Sequence, residues 1–306
     1  IEFDMRRGGK RVAPFVSPLV AGRPIAREGF ITKTFKPAYL KPKSFVQPTD
    51  AMVRLPGESY FNGGMTPAQR MDVLMAQELA THSDMIDNRL EWMAARAILD
   101  GGYTVDGEDY QATYVDFQHD SALRIALAGA ALWSLATSTP LDDIEDVAML
   151  IRRKSRGAVA DTIVMGSNAW KYFRGHATLK DRIDTNYRRT NVTSIDDGIR
   201  NDIGGQYVGR LDGRFDLWVY EDYMTDNDGN DVEVMDPNSV IVCAPRAVEG
   251  AQYFGSILDA DAEFAAVRQF SKSRSSFDPT GEELLTQSAP LVAPKRINTW
   301  AVIDVA

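Results

Sequence analysis

From Thr66 to Gly102 the sequence carries one unbroken helical pattern, and any fold of this chain must be built around it. Thr66-Pro67-Ala68-Gln69 is a capping box with proline at the first helical position, where a missing amide costs nothing. Met71, Leu74, Met75, Leu79, Ile86, Leu90, Met93, Ala97 and Ile98 follow at helical spacing, and Gly101-Gly102 supply the stop. At 1.5 Å per residue the spacing predicts a helix roughly 50 Å long. Globular helices average about 11–12 residues, so this one is expected to span the molecule. Met71, Met75, Met85 and Met93 are read as core filling rather than as a soft binding stripe.

The segment before the helix reads as extended. Phe30-Ile-Thr-Lys-Thr-Phe-Lys36 is β-prone, and prolines recur at 14, 18, 24, 37, 42, 48 and 56. Proline cannot donate to a central ladder, so residues 16–56 are expected to form edge strands or a long hairpin that packs on something else. Charge is uneven. Residues 1–65 hold eleven Lys and Arg against five acids, whereas the whole chain has a net charge of −9. A basic arm on an acidic body reads either as a nucleic-acid tail or as an arm lying on a neighbouring copy. The second fits better, because Phe15, Phe30, Phe35, Tyr39 and Phe45 give the segment too much apolar surface for a solvated tail.

After the helix, Tyr103 to Phe117 is expected to be a hairpin turning at Asp106-Gly107. Residues 141–153 form an amphipathic helix with acids first and bases last, matching the helix dipole. Thr162–Met165 reads as a strand and Ser167 as the cap of a helix reaching Phe173. Further helices are expected over 179–187 and 195–203. Phe215–Glu221 is a strand expected to pair, through Asp228-Gly229, with Asp231–Met235. Val240–Cys243 and Thr299–Val305 are strands, so the chain reads as α+β or mixed α/β, in two subdomains.

Sites for chemistry are sparse. The single Cys243 lies in an apolar run and reads as a small buried hydrophobe; one cysteine makes neither a disulfide nor a thiolate zinc site. His82, His119 and His176 lack the spacing of a helical metal pair, and no Gly-x-Ser-x-Gly elbow or phosphate-binding glycine loop occurs. Asp226–Asp231, aligned as a calcium loop, puts Met224 and Met235 where carboxylates belong, so it reads as a hairpin turn. Neither a catalytic residue, a cofactor nor a metal is expected. Asp259, Asp261 and Glu263 are the one acidic cluster; a hydrolase pair is the minor reading and an interface face the major one. The most apolar stretch, Ala122 to Ala136, is shorter than the roughly 20 residues of a bilayer span.

Several short motifs resemble, in collinear order, the lambda-type major capsid protein of tailed phages. They are Val16-Ser-Pro-Leu-Val-Ala-Gly22, Lys41-Pro-Lys43, Arg54-Leu-Pro56, Gly101-Gly-Tyr-Thr104, Asp142-Asp-Ile-Glu145, Trp170-Lys-Tyr-Phe-Arg174, Asp259-Ala-Asp-Ala262 and Gln287-Ser-Ala-Pro-Leu291. The family has more residues ahead of the Val-Ser-Pro motif than this chain, which opens on Ile1, so a preceding segment is expected. The resemblance implies the HK97-like fold. Residues 1–15 would be an amino-terminal arm and 16–65 an extended loop over a neighbour. Residues 66–157 would be the peripheral domain with its spine helix, 158–285 the axial domain, and 286–306 a return to the peripheral domain.

The function implied is self-assembly, through hexamers and pentamers, into an icosahedral head shell in the host cytoplasm. The shell becomes the virion capsid and encloses double-stranded DNA without reading its sequence; no membrane is involved. A decoration protein, a scaffold and a portal are the further partners that the resemblance raises. Contacts between copies are expected at Arg27, Phe30, Phe35, Tyr39, Lys41, Lys43, Phe45, Arg54, Asp259 and Asp261. The alternatives are an encapsulin-type nanocompartment and, from another class, an acidic α+β hydrolase using Asp259, Asp261 and Glu263.

Overall fold

The computed structural model describes residues 1–6, 13, 30–58, 64–107, 110–176, 179, 205–211, 213–225 and 229–306. In chain order the first elements are β1 (Glu2–Arg6), β2 (Phe30–Thr34), β3 (Lys43–Val46), α1 (Pro48–Met52) and α2 (Pro67–Leu99). Then come β4 (Gly102–Gly107), β5 (Tyr110–Asp116), β6 (Arg124–Ala126), α3 (Pro140–Lys154), β7 (Thr162–Met165) and α4 (Ser167–Gly175). The strands β8 (Gly205–Leu211), β9 (Phe215–Tyr220), β10 (Tyr223–Thr225), β11 (Asp231–Glu233) and β12 (Ser239–Cys243) follow. The rest is α5 (Pro245–Val248), β13 (Gly250–Phe254), β14 (Phe270–Ser276), β15 (Gly281–Gln287), β16 (Pro290–Pro294) and β17 (Trp300–Asp304). The expected helices over 179–187 and 195–203 and the motif from Val16 to Gly22 lie outside the described residues.

The chain divides into two compact units. One comprises Ile1, residues 34–94 and 252–292; the other comprises 2–33, 95–251 and 293–306. In the first unit β14, β15 and β3 form an antiparallel sheet, with Ser276 opposite Gly281 and Glu282 opposite Val46. The expected capping box is present: the Thr66 amide donates to Gln69 Oε1 at 2.9 Å and the Gln69 amide to Thr66 Oγ1 at 3.3 Å. The α2 residues of this unit bury Ile86, Leu90 and Met93. Of the four methionines read as core, only Met93 is buried; Met85 is 54% exposed and Met71 and Met75 are half-buried. Helical periodicity picks out a face but not how much of it the rest of the chain covers.

The second unit is built on a six-stranded mixed sheet of order β6-β17-β12-β7-β9-β8. Helix α3 lays Leu141, Ile144, Val147, Ala148 and Ile151 into a core shared with Ile163, Met165, Val240, Val242, Ala301 and Ile303. It begins at Pro140 with Asp142 and Asp143 in its first turn and ends on Arg152, Arg153 and Lys154, as its charge pattern requires. Trp133, in the apolar stretch Ala122–Ala136, is buried and donates Nε1–H to Asp143 at 2.9 Å. Strand β1 buries Phe3 and Met5, with Phe3 edge-on to Phe117. No helix among the described residues is long and apolar enough to cross a membrane.

Three local expectations change. Strand β11 pairs with β10, not with Phe215–Glu221, because a loop this short returns the chain to the nearest strand. The β4–β5 hairpin closes at Gly107 opposite Tyr110, and an irregularity between Val105 and Gly107 absorbs Asp106, which was expected in the turn. Ser167 is the first residue of α4 rather than its cap. The amides of Asn168 and Ala169 donate to the Pro237 carbonyl at 3.1 and 2.9 Å, so a distant backbone oxygen closes the helix start. Helix α3 packs on β12 and β17, and β17 pairs with β12 and β6. Residues 252–292 join 34–94 because β15 pairs with β3.

Candidate assembly surface

The structure shows what each residue expected between copies does in its own chain. Arg27 lies outside the described residues. Phe30 stands 60% exposed on β2, a strand paired only with β1. Phe35 is half-buried, and its amide and carbonyl bond Ile1 at 2.8 Å each. Tyr39 donates its hydroxyl to the Ser256 carbonyl at 2.6 Å and accepts from the Leu258 amide. The exposed Lys41 ammonium sits 5.2 Å over the Tyr39 ring.

Lys43, on β3, pairs with Glu283 at 3.1 Å, and Arg274 reaches the same carboxylate at 2.8 Å. Phe45 lies against Gly281: a Cβ there would stand 2.5 Å from the Phe45 ring and 2.7 Å from the Val46 carbonyl. Arg54 donates to the Glu58 carbonyl. Lys272 binds Asp259 at 2.5 Å and Asp261 at 3.2 Å, while Gln287 donates to Asp259 at 2.7 Å. Lys43, Asp261, Lys272, Arg274, Glu283 and Leu285 line an open cleft of about 460 Å³. Thus Phe30 and Lys41 are exposed, Lys41 resting over the Tyr39 ring, whereas Tyr39, Lys43, Phe45, Arg54 and Asp259 make hydrogen bonds, ion pairs or packing contacts within their own chain.

The same geometry does not suit Asp259 to the role of acid catalyst. An acid catalyst needs a carboxyl raised toward neutrality. The Lys272 ammonium, helped by Gln287, instead holds the Asp259 carboxyl below its ordinary range. Burial, with Asp161 nearby, pushes the Cys243 thiol up to about 12, so it stays protonated and unreactive.

Two polar clusters escaped sequence reasoning. His82 and Glu78, four residues apart on α2, meet the sheet strands. Ser44 donates to Glu78 at 2.6 Å and lies 2.8 Å from His82 Nε2; His82 Nδ1 lies 3.0 Å from Thr286 Oγ1, which is 3.0 Å from Ser271 Oγ. The roles close consistently if His82 is neutral and carries its proton on Nε2, and burial lowers its pKa. Ser44 gives its proton to Glu78, and a threonine stands where a triad carboxylate would be. The cluster therefore reads as a polar seam between α2 and its sheet rather than as a nucleophile and base. The i, i+4 spacing of Glu78 and His82 was the available sign.

The second cluster is a clamp at the start of α2. Arg70 binds Glu58 through two bonds of 2.9 and 2.8 Å, and the amides of Leu55 and Met65 donate to the same carboxylate at 3.2 and 2.7 Å. The Arg70 guanidinium holds the Glu58 carboxyl down from 4.5 to about 2, against an opposing contribution from burial. A carboxyl lowered by folding stabilises above its unfolded pKa and loses that contribution as pH falls toward its folded value. The melting temperature of the unassembled chain should therefore fall more steeply between about pH 4.5 and 2 than that of Glu58→Gln. Parallel curves would show that the pair adds nothing to stability.

Comparison with known proteins agrees with this structural reading. A family model described as phage major capsid protein E matches residues 1–305. The major capsid protein of Escherichia phage N15 is 31% identical over 290 residues, covering 92% of this chain and 82% of the relative. That of Escherichia phage lambda is 30% identical over the same shares. A solved structure of the putative capsid protein of an Escherichia coli CFT073 prophage superposes with a TM-score of 0.73 at 23% identity, over 90% of this chain and 80% of that one. The fold is therefore that of the HK97-like capsid proteins, and the chain belongs to the phage major capsid protein E family, serving as a structural subunit of the virion in the lambda-like tailed phages.

Proposed function

We propose that copies of this chain assemble in the host cytoplasm, through hexamers and pentamers, into a closed icosahedral head that encloses double-stranded DNA. In this reading the basic segment 16–65 of one copy lies on the acidic surface of the next. The observation that carries the proposal is the family match from one end of the chain to the other. It is supported by Phe30 and Lys41, which are exposed. Charge sets encounter and register, while desolvated aromatic contacts supply most of the strength. The overall negative charge suits an enclosure that contains DNA without gripping it. We assign the axial position to the unit built on the six-stranded sheet and the peripheral position to the unit carrying most of α2. Decoration, scaffold and portal proteins are the partners to seek in co-purification.

Electron microscopy and light scattering of the overexpressed chain test the proposal. Closed particles of megadalton mass are the expected result; a stable species of one or two subunits speaks against it. Lys41→Glu with Lys43→Glu should lower particle yield by about tenfold or more. The unassembled chain should keep its melting temperature, because exposed ion pairs such as Lys43–Glu283 contribute little. Adding Glu283→Lys restores the local pair, so any defect it repairs belongs to the chain's own fold. A defect that persists belongs to contact between copies, and an undiminished yield from the double variant would refute the charge-guided arm.

A further inference from the structure

Within the second unit, three residues far apart in the chain tie the last turn of α2 to β17. The Trp300 indole N–H donates to the Ile98 carbonyl at 2.8 Å, one of the final carbonyls that no helical amide reaches. The His119 ring stacks on that indole, with centroids 4.6 Å apart and planes 18° from parallel. All three residues belong to the same compact unit.

His119 is 9% exposed, and its two nitrogens are unequal. Nε2 lies 3.1 Å from the Trp300 carbonyl oxygen. A carbonyl only accepts, so Nε2 carries the proton of the neutral ring. Nδ1 is buried and has no hydrogen-bond partner among the described residues. A second proton would therefore place a charged N–H where nothing accepts it. A buried charge left unpaired costs far more than an unfilled lone pair.

The surrounding charges give little relief. Arg124 Nη2 and His119 Cβ both lie where a Cβ on Gly101 would stand, so the guanidinium of β6 is a close neighbour of the ring and repels an imidazolium. Asp120, the adjacent carboxylate, is already paired with Lys154 of α3 at 2.7 Å. Gly101 and Trp300, packed on His119 from the end of α2 and from β17, bring no charge. Burial above all, with help from Arg124 and against the Trp300 carbonyl and Asp120, lowers the His119 pKa from its ordinary 6.5. His82 is built differently. Its Nδ1 faces the Thr286 hydroxyl at 3.0 Å, and that hydroxyl turns to accept while donating onward to Ser271. A proton on His82 finds an acceptor in place, whereas one on His119 does not.

We propose that His119 is an acid-sensitive latch: a proton on Nδ1 expels its ring from the site beside Trp300 and frees the last turn of α2 that the indole holds. The latch belongs to the single chain and works whether or not copies assemble. Its sign follows from linkage. The fold favours the neutral ring, so the latch holds fully above pH 6.5 and weakens as pH falls from there toward the lower folded value.

The test follows the unassembled full chain, labelled with 13C in its histidine rings, from pH 7.5 to 5. The His119 signal, assigned by its loss in His119→Gln, should stay that of a neutral ring well below pH 6.5 while the chain is folded. Titration at the ordinary value in the folded chain overturns the proposal. Hydrogen exchange over residues 96–102, corrected for the intrinsic rate, reads the latch itself. Opening should increase by up to about tenfold per pH unit below 6.5 in the unaltered chain. His119→Gln keeps a side-chain amide to donate to the Trp300 carbonyl but takes up no proton, so its opening should not follow pH in this way. Equal pH dependence in both chains would leave His119 a merely structural residue and overturn the proposal. If His119→Gln fails to fold, His119→Asn supplies the assignment, and the unaltered chain alone decides: opening that stays constant from pH 7.5 to 5 refutes the latch.

Discussion

Trp300→Ala should destabilise the second unit by about 3–5 kcal/mol, the range for removing a fully buried large aromatic. Trp300 is wholly buried at the start of β17, stacks on His119 with centroids 4.6 Å apart, and donates Nε1–H to the Ile98 carbonyl at 2.8 Å. Truncation empties the space of an indole, removes the stacking surface of a buried histidine and leaves a carbonyl without its donor. Urea denaturation of the unassembled chain, followed by circular dichroism, reads the effect. Trp300→Phe separates the contributions: it keeps a ring against His119 and loses the hydrogen bond, so it should cost markedly less. A loss below about 1 kcal/mol for Trp300→Ala would show that the site relaxes around the deletion. Particle assembly should fail in step with folding, because the same strand joins β12 to β6 in the central sheet.

Gly166→Ala decides between two opposite expectations. Gly166 has φ −69° and ψ 165°, a conformation any residue adopts. Loss of unfolded-state entropy alone would then stabilise the chain by about 0.4–1 kcal/mol. The tertiary structure argues the reverse. A Cβ at Gly166 would stand 2.5 Å from the Pro237 carbonyl oxygen and 2.7 Å from that of Asp236, both backbone atoms. The Pro237 oxygen is also the acceptor that closes the start of α4, so pushing it away weakens two bonds as well as straining the loop. The expected outcome is a destabilisation of about 2–3 kcal/mol. A stabilised variant would mean that the loop 236–238 moves aside freely.

The same site shows where sequence reasoning stopped. Ser167 has the right identity and position for a cap, and no local rule disfavours it. The acceptor used instead lies some seventy residues further along the chain, in a loop that only the β7–β12 pairing brings to the helix start. The assembly candidates divide in the same way. Lys43 and Asp259 look like free surface charges until the strand register sets Lys43 beside Glu283 and the loop 256–266 sets Asp259 beside Lys272.

What the sequence determined by itself are features whose physics spans a few residues. The ends of α2 and α3, their apolar faces, the β4–β5 hairpin as a region and each of the short family motifs rest on neighbours within about one or two helical turns. Which strands pair, which part of an apolar face is covered, and which charges are spent inside the chain were decided by the tertiary structure. Backbone ladder bonds are chemically alike for every strand, so nothing in β12 names β17 and β7 as its partners. That choice follows from burying one face of each against α3 and α4, a condition that many residues far apart in the chain satisfy together.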